Sequence, residues 1–211
     1  MYGSGADRGQ LSGEREMVSS TQRLSMELAA LAPALIIFDK GGTLIDFHGM
    51  WSEWVTELAR RLEGVTGFPV TGRLFRVMGF DPDSGRIAPN RRLATTPMKG
   101  LRTLMVDLLC EAGMSRQASE GTVETVWYAP DPVGQARPLA DLAGLFRGLR
   151  DNGLKIAVTT VDDRAPTEAT FAALGIASFV EALVCGDNGL PIKPAPDMVW
   201  AVCQATGVAP A

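Results

Sequence analysis

Histidine is nearly absent from the chain. His48 stands alone, and the three cysteines, Cys110, Cys185 and Cys203, lie far apart. No metal-ligand or redox spacing can be built from so few and so scattered residues. The cysteines are expected to be buried small residues in a reducing, cytoplasmic setting. Basic residues are also in the minority. Twenty Lys and Arg against 24 Asp and Glu give a formal net charge of -4 and a pI near 5.1. No basic run reverses that balance, which argues against a nucleic-acid partner. Long apolar runs are missing too: the longest, Leu28 to Phe38, contains Pro33 and is too short to cross a bilayer. No membrane partner is expected. Residues 1–32 lack the apolar core of a signal peptide, and Asp7, Glu14 and Glu16 weigh against a transit peptide. Rich in Gly, Ser and charge, they read as a loosely attached leader, with Met26 as an alternative start.

What the sequence does hold is a pattern of alternating elements. Its 211 residues, 46% of them hydrophobic, suit one sizeable domain with an insertion. Apolar runs of strand length occur at Leu35–Phe38, Leu154–Thr159 and Val180–Cys185. Helical periodicity is read over 51–62, 101–112, 119–128, 139–152, 164–174 and 197–206, several of these segments followed by a terminating glycine. Leu74 to Phe80 is short and apolar, and Asp81 to Asn90 is a turn-rich loop. Alternation of this kind predicts an α/β fold, a doubly wound parallel (Rossmann-like) sheet. The core is expected over 33–46 and 137–211, with helices 47–136 inserted between its first two strands.

The first strand delivers a carboxylate, Asp39, into the turn Lys40-Gly41-Gly42-Thr43. Ligands of open α/β sheets bind beyond the carboxyl ends of the strands, and a glycine-bearing turn suits an oxyanion. The second strand ends in the hydroxyls of Thr159 and Thr160. Further on, Lys193 stands between Pro191 and Pro194, ahead of a helix that Asp197 is expected to cap. In this order and spacing the segments resemble the motifs of the haloacid dehalogenase superfamily. Asp39, Gly42 and Thr43 match the Asp-x-Asp-Gly-Thr of motif one, Thr159 matches motif two and Lys193 motif three. The resemblance runs from about Ala34 onward. It departs at Gly41, where most phosphatases of the superfamily carry a second aspartate.

The resemblance implies a hydrolase similar to phosphoglycolate phosphatases, acting on a small phosphorylated molecule through an aspartyl-phosphate on Asp39. It implies that Thr159 and Lys193 are catalytic, that Gly42, Thr43 and Thr160 bind phosphate, and that Mg²⁺ is held by Asp39 and the backbone carbonyl of Gly41. It makes residues 47–136 a helical cap over the site. A motif-four strand with further acids is not found before Ala211, so the chain is expected to be truncated, or a relative lacking part of its core, with a weakened Mg²⁺ site and activity. The first strand would then form an exposed edge prone to self-association. Two alternatives stay open: a non-catalytic relative or fragment, and a dehalogenase-type hydrolase, since dehalogenases also lack the second aspartate. Near the site, His48 reads as a solvated hinge residue, Asp162 and Asp163 as helix caps, and Arg91, Arg92 and Lys99 as a solvated face.

Overall fold

The computed structural model describes residues 33–210, and the leader expected over 1–32 lies outside them. The elements, in chain order, are β1 (Leu35–Phe38), α1 (Phe47–Thr66), α2 (Thr71–Met78), β2 (Phe80–Asp81), β3 (Arg86–Ile87), α3 (Arg92–Thr95), α4 (Met98–Glu111), α5 (Arg116–Val126), α6 (Leu142–Asp151), β4 (Lys155–Thr159), α7 (Arg164–Ala173), a 3₁₀ turn (Ala177–Phe179), β5 (Ala182–Val184) and α8 (Asp197–Thr206).

Strands β1, β4 and β5 form a parallel sheet in the order β1-β4-β5. In register, Leu35 faces Lys155 and Phe38 faces Val158, and Thr159 of β4 faces Val184 of β5. Side chains alternate across the sheet, as the strand period demands. Leu35, Ile37, Ala157, Ala182 and Val184 pack on one face against Met198 and Val202 of α8. On the other face Ile156 and Val158 join the main core, and Phe38 stacks on Phe146 of α6 at 5.3 Å. Helices therefore cover both faces of a parallel α/β sheet, as the sequence predicts. Among the described residues β1 is an edge strand, and its four residues are half-buried. No helix among them is long and apolar enough to cross a membrane.

Helices α1 to α5 and a small β2–β3 hairpin lie between β1 and β4. α1 packs on α2 and α5, and α4 packs on α5. Trp54 of α1 is buried, and its indole N–H donates to Tyr128 O at 2.9 Å while the Tyr128 hydroxyl donates to Trp54 O at 3.1 Å. Two chain segments join this unit to the sheet, and they run side by side. Asp46 N–H donates to Arg137 O at 2.8 Å, and Leu139 N–H donates to Leu44 O at 3.0 Å.

Several boundaries differ from those read in the sequence. α1 begins at Phe47, earlier than expected, because the Asp46 carboxylate accepts from the His48 and Gly49 N–H groups. The loop expected over 81–90 contains the hairpin, and 74–80 divides into the end of α2 and strand β2. The third strand is shorter than Val180–Cys185, because the chain ahead of it winds into the 3₁₀ turn. Asp197 is not the cap of α8. Pro196 holds that position and Asp197 sits in the first turn, where a carboxylate still meets the positive end of the helix dipole.

Candidate active site

Parallel register places Asp39 and Thr159 next to each other, each one position beyond the paired residues Phe38 and Val158. Lys193, in the loop after β5, reaches back to this point. Its ammonium donates to Asp39 Oδ1 and to Thr159 O at 3.1 Å. Nucleophile candidate, motif-two threonine and motif-three lysine thus meet at the carboxyl end of the sheet. The Asp39 side chain remains two-fifths exposed, so it is paired and still accessible.

The turn after Asp39 is compact. Lys40 O accepts from the Leu44 N–H at 2.9 Å and the Ile45 N–H at 3.1 Å, and Gly42 N–H donates to Ile45 O at 2.8 Å. Gly42 adopts φ 80°, a conformation that favours glycine. Gly41 is crowded from one side. A Cβ there would lie 3.0 Å from Phe47 Cδ2, so the ring occupies the space that a side chain at 41 would enter.

Lys40 itself is buried, 5% exposed, and its ammonium lies 2.8 Å from Asp162 Oδ2 and 3.4 Å from Thr167 Oγ1. The sequence reading missed this pair and took Asp162 and Asp163 for helix caps. Asp163 does occupy the N-cap of α7, but its side chain makes no capping hydrogen bond, and Asp162 is spent on Lys40. Burial, with Asp187 and Asp162 nearby, pushes the Asp163 carboxyl above its ordinary range.

A cavity of about 360 Å³ opens in front of Asp39. Gly41, Gly42, Thr160 and Asp162 line it from the sheet side, and Phe47, His48 and the hairpin residues Arg86 and Ile87 line it from the inserted unit. His48 is therefore not a solvated hinge. Its Nδ1 accepts from the Ile87 N–H at 3.2 Å, which leaves Nε2 to carry the ring proton. Of the residues expected to bind phosphate, Gly42 and Thr160 line the cavity, whereas Thr43 is exposed and lies outside its lining. Arg91, Arg92 and Lys99 are exposed, as expected.

Mg²⁺ would need more than these residues offer. Asp39 and the Gly41 carbonyl are the two oxygens the sequence resemblance assigns to it, and Asp39 already faces an ammonium. No group of three or more His, Cys, Asp or Glu side chains gathers anywhere among the described residues. Mg²⁺ prefers an octahedral shell of hard oxygens, and this set does not make such a site by itself.

The fold is shared with solved structures of low sequence identity. A predicted phosphoglycolate phosphatase from Haemophilus somnus superposes with a TM-score of 0.54 at 16% identity, over 83% of this chain and 72% of that one. A HAD-superfamily hydrolase of subfamily IA from Geobacter sulfurreducens gives 0.53 at 13%, over 85% and 75%. A protein assigned as a β-phosphoglucomutase from Thermotoga maritima gives 0.50 at 20%, over 82% and 71%. No curated protein matches in sequence. The haloacid dehalogenase-like hydrolase family model matches residues 33–211, a span holding every strand of the sheet and all three motifs, and the chain accordingly belongs to that family of hydrolases.

Proposed function

We propose that the chain is a phosphatase of small phosphomonoesters, with Asp39 as nucleophile. The observation that carries this reading is the Asp39–Lys193 pair, set beside Thr159 and opening onto the cavity lined by Thr160 and Gly42. An Asp39 oxygen attacks phosphorus, the bond to the leaving oxygen breaks, and an aspartyl-phosphate forms that water then hydrolyses. Lys193 offsets the charge brought together by carboxylate and phosphate. The Thr159 and Thr160 hydroxyls are assigned to the phosphoryl oxygens, whereas the Gly42 N–H is already given to Ile45 O. The helices within 47–136 act as a cap, and residues 33–46 and 137–211 as the core. The three cysteines are free, which suits a cytoplasmic protein.

Gly41 supplies no side chain to protonate the leaving oxygen. Turnover is therefore expected to be slow and to favour substrates whose alcohol leaves readily. The same feature, with Phe47 filling the space, favours a second reading: a protein that binds phosphomonoesters without turning them over. Hydrolysis of an aryl phosphate by the chain and by Asp39→Asn, alongside thermal-shift titration of both with a stable phosphomonoester, separates the readings. Hydrolysis lost in Asp39→Asn supports the phosphatase. Binding without hydrolysis supports the second reading, and hydrolysis that survives Asp39→Asn rules out the assigned nucleophile.

A further inference from the structure

Charge accounting around the cavity leaves one group over. Asp39 is matched by Lys193 and Asp162 by Lys40. Arg86, the remaining charged residue of the lining, makes no ion pair among the described residues. Its side chain is exposed at the cavity rim, and the backbone on either side of it is fastened to α1. The Ser52 hydroxyl donates to Gly85 O at 2.7 Å, and the Ile87 N–H donates to His48 Nδ1 at 3.2 Å. Antiparallel pairing of Phe80 with Ile87 and Asp81 with Arg86 fixes the hairpin from its other strand. The backbone at 86 is thus tied to the same helix whose first turn carries His48 into the cavity. The lining also includes the apolar side chains of Phe47 and Ile87.

We infer that Arg86 determines specificity by pairing with a second anionic group on the substrate, a carboxylate on the carbon skeleton that carries the phosphate. This deepens the phosphomonoester reading and rests on it. A guanidinium fork holds a planar carboxylate by two charge-assisted hydrogen bonds and a hydroxymethyl oxygen only by one weaker bond. The cavity, at about 360 Å³, holds a short chain with both groups and little beyond it.

The test compares 3-phosphoglycerate with glycerol 3-phosphate, which differ in a carboxylate against a hydroxymethyl group. Calorimetric titration of the full chain carrying Asp39→Asn, which prevents turnover, is expected to show 3-phosphoglycerate binding about tenfold tighter, the scale of one charge-assisted hydrogen bond. Adding Arg86→Gln should bring the two affinities together by weakening 3-phosphoglycerate alone. Equal affinities before that substitution, or a preference that survives it, overturn the inference and leave the phosphomonoester reading standing. Failure of both compounds to bind overturns the two together.

Discussion

Lys40 Nζ lies 2.8 Å from Asp162 Oδ2 and joins the residue after the candidate nucleophile to the loop after β4, 122 positions away in sequence. The lysine side chain is 6% exposed and the aspartate 19%, so water screens the pair weakly. Removing one partner strands the other charge. Lys40→Met should cost about 3 kcal/mol of stability by that mechanism. Adding Asp162→Asn should recover part of the loss, and urea unfolding of the single and double variants measures both. Additive losses would mean that the two residues act independently.

An aspartate at position 41, as in the motif-one pattern, would meet the Phe47 ring. Gly41→Asp alone would press on Phe47 at 3.0 Å and should destabilise the chain without raising hydrolysis. Combined with Phe47→Ala, which vacates that space, it should raise turnover of an aryl phosphate by about 10²-fold, the lower end expected of an added general acid-base. Steady-state rates of the single and double variants decide. A gain in the single variant would show that Phe47 swings aside unaided.

Asp163 offers a pH-dependent check. Burial, the first cause, and the nearby Asp187 and Asp162 raise its carboxyl pKa. A raised carboxyl is protonated more readily in the folded than in the unfolded chain, so its ionisation subtracts stability as pH rises through that window. Asp163→Asn should therefore raise the melting temperature slightly near pH 7, with the gain fading as pH falls below the carboxyl range. The side chain makes no capping hydrogen bond that the change would remove.

Cys185 is buried, and that burial pushes its thiol up to about 11. Too little thiolate then exists near neutrality for ready alkylation. In native buffer at pH 8, iodoacetamide should label the half-buried Cys110 ahead of Cys185, with Cys185 reacting once urea unfolds the chain. Peptide mapping by mass spectrometry reads the order directly.

The outer side of β1 carries no pairing strand among the described residues, although the strand is half-buried on its faces. An unpaired edge invites association. Light scattering coupled to size exclusion is expected to show self-association rising with concentration, and a concentration-independent monomer would refute it.

Much of the sheet was legible because its strands are apolar runs with chemistry placed at their ends. Leu35–Phe38 and Lys155–Thr159 fall inside the expected strands, and α8 spans the helix read over 197–206. The meeting of Asp39, Thr159 and Lys193 follows from motif order. The Lys40–Asp162 pair was hidden because a lysine in a turn looks solvated, and nothing in the local pattern marks it as buried. His48 was misjudged for a related reason. Its place depends on a hydrogen bond to Ile87, across 39 residues of sequence, and on a hairpin whose two-residue strands are too short for period-2 alternation to register. Asp162 and Asp163 look alike as neighbours before a helix, and only tertiary packing separates their roles.

The attachment of the β2–β3 hairpin has a practical consequence for engineering. The hairpin backbone is held to α1 by one hydroxyl and one imidazole, and its ends are held to the core by Phe80 and Ile87, while Asp39 and Lys193 belong to the sheet side. Residues 81–86 could be exchanged as a cassette, provided Phe80 and Ile87 stay in the core and Ser52 and His48 keep their backbone acceptor and donor. Libraries confined to that segment would alter what the pocket admits while leaving the reacting groups where they are.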